Sequence, residues 1–407
     1  MVIKVDFSSI VNQLNLTAKS LNLKDVISFF SGDAMIEVAK VVKEFAPYSN
    51  VAVFSTENSF FKYGVSLTEK LKTEFLRPTS VIIKKDKRFN VDGVSSLFNL
   101  SEEVRFLVVT DSALIESGAY FSTVRNIPML VIVNSFNFSE ILNYTFIIDN
   151  ANNVDEFRCY GRRFIFIDSS RFDFSNAVNG IYAVGGKLSA LIDYKINAVL
   201  TGKEQNEKLI ELIERAVNSL VELESANNND KLLKILLSAL LVEFGGAVDD
   251  GEILKCSSAK SSAMLLESTT LACAVAEFFS AKKIMGCYQE LFNATDYGES
   301  IPDYNDIANH ISRISGVSQA VVSKNIIFKL SILNDKSGGK RRLVSAMKNQ
   351  VLLLNNKFIS IERLCRKESG KMAYRKKGIK KCVELSGYAE KYINGMTLFN
   401  EFGFFVK

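Results

Sequence analysis

The chain is predicted to form an N-terminal α/β domain with a doubly wound, mostly parallel sheet, followed by a helical domain. Three observations carry this expectation. Up to Asp173, short apolar runs rich in β-branched residues alternate with amphipathic helical stretches. Beyond Asp173 the apolar positions recur only at helical spacing. The composition is that of a folded protein: 407 residues, 47% hydrophobic and 23% charged, with only 4 prolines, enough for two substantial cores.

The elements follow in order. Asp33 to Phe45 reads as a helix, with Met35, Val38, Val42 and Phe45 on one face and an acid at its start. Val51-Ala52-Val53-Phe54 is a short apolar run suited to a buried parallel strand. A helix over Gly64–Phe75 leads to a strand at Ser80–Lys84. Strands at Phe106–Val109 and Met129–Val133 bracket a helix from Leu114 to Arg125, and strands at Phe146–Ile148 and Phe164–Ile167 follow. In the second half, Ile181, Val184, Leu188 and Leu191 repeat at helical spacing, as do Leu209, Leu212, Ala216, Leu220 and Leu223. Lys231–Phe244 is an apolar helix closed by Gly245-Gly246, and Ser261–Phe279 and Tyr304–Ile314 continue the pattern. The expected domains are residues 1–173 and 174–407.

Several function classes are narrowed by counting. The single histidine, His310, cannot build a two- or three-histidine metal site. Its helical surroundings suit a structural or surface role. None of the cysteines, Cys159, Cys256, Cys273, Cys287, Cys365 and Cys382, forms a CxxC pair. Free thiols in a reducing cytoplasm are therefore expected. No apolar run approaches the roughly 20 residues that span a bilayer. Cytoplasmic localisation without membrane association is the expectation. The net charge of +5 is too small to imply nucleic acid by itself. Lys336 to Lys381 does concentrate fifteen Lys or Arg residues against Glu362 and Glu368. Val351–Leu354 and Phe358-Ile359 interleave that stretch with core-type residues, so a solvated basic helical face is expected there, ahead of nucleic-acid binding.

The turn after Phe106–Val109 reads Thr110-Asp111-Ser112-Ala113-Leu114. It carries no glycine to let a pyrophosphate approach the backbone, and Asp111 repels phosphate. Helix capping by this turn is the plain structural reading.

Further stretches carry a resemblance. They are Phe30-Ser-Gly-Asp-Ala-Met35, Val53-Phe-Ser-Thr-Glu-Asn-Ser59 with Gly64 and Leu71, and Asn126-Ile-Pro-Met-Leu-Val-Ile-Val-Asn-Ser135. Phe166-Ile-Asp-Ser-Ser170 through Lys187-Leu-Ser-Ala-Leu-Ile-Asp-Tyr194, and Tyr392 to Gly403, complete the set. In order and spacing these resemble the superfamily of glycerol-1-phosphate dehydrogenase, glycerol dehydrogenase, iron-containing alcohol dehydrogenases and dehydroquinate synthase. The likeness covers nearly the whole chain and is nearest to glycerol-1-phosphate dehydrogenase. It implies a dehydroquinate synthase-like fold, NAD(P) as cofactor and a metal-assisted reaction in an interdomain cleft.

The family's functional positions are altered here. Its dinucleotide loop falls on Thr110, Asp111 and Ser112, and the next helix opens with Glu116 and Ala119 at its aspartate and lysine positions. The crevice-lining Pro-Thr pair falls on Val133 and Asn134. The metal-ligand aspartate falls on Ala183 and the first histidine ligand on Leu265, with the second near Ser268. No metal is expected. A substitute site from Cys256, Glu267, Asp249 or Cys273 is the lesser alternative. Lys187 is the polar family position retained, either as a phosphate anchor or as a solvated helix lysine.

Two readings of function follow. The first is a divergent oxidoreductase-family protein that binds a nucleotide or phosphorylated small molecule in the cleft, its metal-dependent chemistry weakened or lost. Thr110, Asp111, Ser112 and Asn134 are its degenerate cofactor positions, and Lys187 its phosphate contact. The alternative is a non-catalytic scaffold or pseudoenzyme, homodimeric in the manner of the family.

Overall fold

The computed structural model describes residues 7–84, 91–136, 141–142, 145–150, 153–202, 204–225, 230–248 and 339–369, with isolated helical positions between 277 and 320. The sequence-expected helices at Ser261–Phe279 and Tyr304–Ile314, together with His310, Leu265, Ser268, Asp249, Cys256, Glu267 and Cys273, lie largely or wholly outside the described residues.

The chain opens with α1 (Ser8–Ser20), which buries Ile10, Leu14 and Ala18 at helical spacing. Next comes β1 (Ile27–Gly32), at one edge of the sheet. An edge strand leaves backbone groups unpaired. The Asn15 side chain answers this at Phe29, where its amide nitrogen donates to the Phe29 carbonyl and its oxygen accepts from the Phe29 N–H, both at 2.9 Å. α2 (Ala34–Phe45) starts at Asp33, whose carboxylate caps the helix by accepting from the Met35 N–H at 3.0 Å.

β2 (Asn50–Thr56) is buried over nearly its whole length, as a central parallel strand must be. It passes into the short turn α3 (Glu57–Ser59), a π-helical turn over Phe60–Gly64 and α4 (Val65–Thr73). β3 (Arg77–Ile83) forms the other sheet edge, and α5 (Val91–Phe98) precedes β4 (Val104–Val109). A 3-10 turn over Ser112–Leu114 leads to α6 (Ile115–Arg125), which ends at Asn126 in the left-handed conformation, φ 51°. At Gly118 of α6, a Cβ would meet Val109 Cγ2 at 2.9 Å and Met129 Sδ at 3.2 Å. The missing side chain thus lets the helix lie closely on β4 and β5 (Met129–Val133).

β6 (Thr145–Asn150), β7 (Asn153–Arg158) and β8 (Arg163–Asp168) complete the strands among the described residues. The main sheet has the order β1-β8-β5-β4-β2-β3, and all of its pairs are parallel. The strand expected at Phe146–Ile148 does not join it: β6 pairs antiparallel with β7 as a separate hairpin. Between β2 and β4 the connections diverge. The chain leaves β2 toward β3 on one flank and leaves β4 toward β5 on the other. That is a topological switch point, where open α/β sheets leave a crevice at the strands' carboxyl ends.

Among the described residues the further helices are α7 (Ala177–Thr201), α8 (Glu207–Glu222), α9 (Lys231–Glu243) and α10 (Gly339–Ser369). Two compact units emerge, but not from one break at residue 173. The first takes the chain through Gly180 and then α9 with the turn behind it; the second takes α7 from Ile181, with α8 and α10. The reason lies in packing. Phe244, just after α9, sits 5.9 Å from the Phe29 ring, and Ile235 closes over Gly180. An apolar helix joins the core that covers it, whatever its neighbours in sequence. Within α10, Val351, Leu354, Phe358, Ile361 and Leu364 are buried, while Lys348, Arg363, Arg366 and Lys367 are exposed. Among the described residues no helix is long and apolar enough to cross a membrane.

Candidate functional site

The switch point holds a cavity of about 220 Å³. Asn58, Ser59 and Lys62 line it from the connection after β2, Thr110, Asp111 and Ser112 from the turn after β4, and Asn134 and Ser135 from the end of β5. All of these belong to the first unit. Four positions singled out in the sequence, Thr110, Asp111, Ser112 and Asn134, are therefore brought together at one pocket.

Local structure explains how the polar groups are held. Thr56 and Ser59 form a reciprocal capping box: the Ser59 N–H donates to Thr56 Oγ1, and the Thr56 N–H donates to Ser59 Oγ at 2.9 Å. Ser59 Oγ also shares a 2.8 Å hydrogen bond with Thr110 Oγ1, which donates to Ser55 Oγ at 2.9 Å. This buried hydroxyl chain joins the ends of β2 and β4. Asp111 sits at its edge. One carboxylate oxygen accepts from Thr56 Oγ1 at 2.7 Å, and the other accepts from the Ala113 N–H at 3.0 Å. The acidic side chain thus caps the turn that a glycine-rich loop would leave open for a phosphate.

A second network adjoins the pocket through Asn134. The Asn134 amide nitrogen donates to the Tyr63 hydroxyl at 3.0 Å, and that hydroxyl donates to Asp168 Oδ2 at 2.9 Å. Asp168 Oδ1 accepts from Ser170 Oγ at 2.8 Å and from the Ser170 and Ala34 N–H groups. Arg171 bridges Asp33 at 2.9 Å and reaches Ser170 Oγ. Burial, reinforced by the Asp168 carboxylate, pushes the Tyr63 phenol above the usual tyrosine range, so it remains a neutral donor. The network anchors the carboxyl ends of β5 and β8 and the π-helical turn. Of these residues, Asn134, Asp168, Ser170, Asp33 and Ala34 fall within stretches that carry a signal in the sequence. Lys62, Tyr63 and Arg171 had no local signal. The Thr-x-x-Ser spacing of Thr56 and Ser59 is a further local clue, as a helix start.

Lys187 lies elsewhere, on α7 in the second unit. Its side chain is buried, and its ammonium stands 3.7 Å from Glu277 Oε1. Gly186 allows that approach, since a Cβ there would meet Glu277 Cγ and Cδ at 2.9 Å. Ala183, one turn earlier, offers no ligand atom to a metal. Among the described residues no group of three or more His, Cys, Asp and Glu could hold a metal ion.

No family model matches this sequence, and no curated protein matches it. Solved structures do. Glycerol dehydrogenase from Schizosaccharomyces pombe aligns at TM-score 0.50 and 10% identity, covering 81% of this chain and 90% of that one. The archaeal halo-thermophilic Red Sea brine pool alcohol dehydrogenase ADH/D1 aligns at TM-score 0.50 and 12% identity, covering 91% and 92%. The chain has the fold of these dehydrogenases. The expected α/β-plus-helical architecture is thereby established, and the low identity limits the likeness to the fold.

Proposed function

We propose that the chain is a divergent relative of glycerol-1-phosphate dehydrogenase that binds a nucleotide or phosphorylated small molecule at the switch-point pocket. One observation supports this most directly. The cavity stands where α/β sheets of this class receive ligands, and convergent polar groups from three strand ends line it. Lys62 is the cation among its lining residues, placed to meet a phosphate. The phosphate contact moves from Lys187 to Lys62 in this reading, because Lys187 is buried against Glu277.

The family's metal-ligand aspartate falls on Ala183, whose side chain has no ligand atom, so this reading is one of binding rather than of metal-assisted chemistry. The test is thermal unfolding with AMP and with glycerol phosphates. At a hundred times the dissociation constant, a ligand stabilises the folded state by roughly 2.7 kcal/mol. Lys62→Ala should remove most of that gain while sparing the unliganded protein. Failure of every phosphorylated compound to raise the melting temperature would refute the reading.

A further inference from the structure

The turn after β4 is the feature whose chemistry departs furthest from a dinucleotide site. A pyrophosphate binds such a turn by accepting hydrogen bonds from free backbone N–H groups, with no negative charge nearby. Here the Asp111 carboxylate already accepts from the Ala113 N–H, and Thr56 Oγ1 holds its second oxygen at 2.7 Å. The turn therefore carries its own anion. A dinucleotide pyrophosphate would have to displace that carboxylate and break both bonds, or lie against a like charge.

What Asp111 repels in phosphate it offers to hydroxyls. An ionised carboxylate has about four lone-pair positions, and the two hydrogen bonds named above occupy two of them. The remaining two suit a pair of adjacent hydroxyl groups, as on a ribose or a short polyol. Around it, Ser59, Thr110, Ser112, Ser135, Asn58 and Asn134 are uncharged groups that both donate and accept. Size agrees with chemistry. Pockets that enclose whole drug-sized ligands run to about 300–1,000 Å³, and this one measures about 220 Å³.

We infer that Asp111 is a specificity-determining residue. It makes the pocket a site for a vicinal diol bearing at most one phosphate, such as a nucleoside monophosphate or a polyol monophosphate, and it excludes dinucleotides. The diol faces Asp111 and the single phosphate faces Lys62. This inference rests on the proposed ligand-binding role of the same pocket.

Calorimetric titration of the full chain with AMP, 2′,3′-dideoxy-AMP, NADH and inorganic pyrophosphate tests it. The wild type should bind AMP at least about tenfold more tightly than the dideoxy analogue, since a hydrogen bond to a charged group is worth about tenfold or more. NADH should bind more weakly than AMP, and pyrophosphate should give no heat. Asp111→Asn keeps a capping side chain and should reduce the preference for AMP over its dideoxy analogue to within about threefold. Asp111→Gly opens the turn and should gain pyrophosphate binding. Wild-type NADH binding as tight as that of AMP would overturn the inference and leave the functional reading standing. So would equal affinity for AMP and the dideoxy analogue, or a preference unchanged in both Asp111 variants. No heat from any phosphorylated probe, glycerol phosphates included, would overturn both.

Discussion

Replacing Lys187 tests whether its role is architectural. The side chains of Lys187 and Glu277 are only 4% and 8% exposed, and their charged atoms stand 3.7 Å apart. At an effective dielectric constant of about 20, two unit charges at that distance attract by ~4.5 kcal/mol. Much of this is offset by the cost of removing both charges from water, so the net worth of the intact pair is small. Removing one partner is different, because it strands the other in the interior. Lys187→Met should therefore destabilise the protein by about 3–5 kcal/mol. At about 2–4 °C per kcal/mol for a unit of this size, the melting temperature should fall by roughly 10 °C. The double variant Lys187→Met, Glu277→Leu should recover most of that loss, since well-packed apolar residues replace buried ion pairs at little cost. Urea unfolding of the wild type, both single variants and the double variant closes the cycle. A loss under about 1 kcal/mol in Lys187→Met, with no coupling to Glu277, would show that the lysine is solvated after all and refute the reasoning.

Three further outcomes are expected. Phe75, just beyond the Glu74 cap of α4, has φ 64° and is 71% exposed. Phe75→Gly should stabilise the protein by about 0.5–1 kcal/mol in urea unfolding, the relief of left-handed strain outweighing a weak contact with Lys43. Burial raises the Glu362 carboxyl, but hydrogen bonds from Lys282 at 2.7 Å and Arg366 at 2.6 Å outweigh it and hold the group below its usual range. A lowered folded-state pKa contributes stability above the unfolded value of 4.5, and that contribution disappears as pH falls through the folded value. Glu362→Gln should therefore cost up to about 1 kcal/mol at pH 7 and progressively less as the pH is lowered below 4.5, measured by denaturant midpoints. Burial pushes the Cys159 thiol up to about 11, so its peptide should alkylate at pH 8 at least about a hundredfold more slowly in native than in unfolded protein, as followed by mass spectrometry.

Much of the α/β unit was legible in the chain because its central strands β2, β4, β5 and β8 are buried on both faces. Val51–Phe54, Phe106–Val109, Met129–Val133 and Phe164–Ile167 are apolar runs, and each lies within a strand of the main sheet. β6 is also apolar, yet it forms a hairpin, since a run of that length does not say which partner will pair with it. α1 carries a local signal in Ile10, Leu14 and Ala18 at helical spacing, whereas the edge strand β1 depends on contacts across the chain, as between Asn15 and Phe29. At the site, the glycine-free turn and Asp111 could be read from the order of residues, because a turn's chemistry is local. Local pattern alone thus determined the alternation of elements, the fold class and the unusual character of the turn after β4. Only the tertiary structure decided that α9 belongs to the first unit, that Lys187 is buried beside Glu277 and that Lys62 lines the pocket. These depend on which surfaces meet when the chain closes on itself, and long-range packing leaves no periodic trace along a sequence.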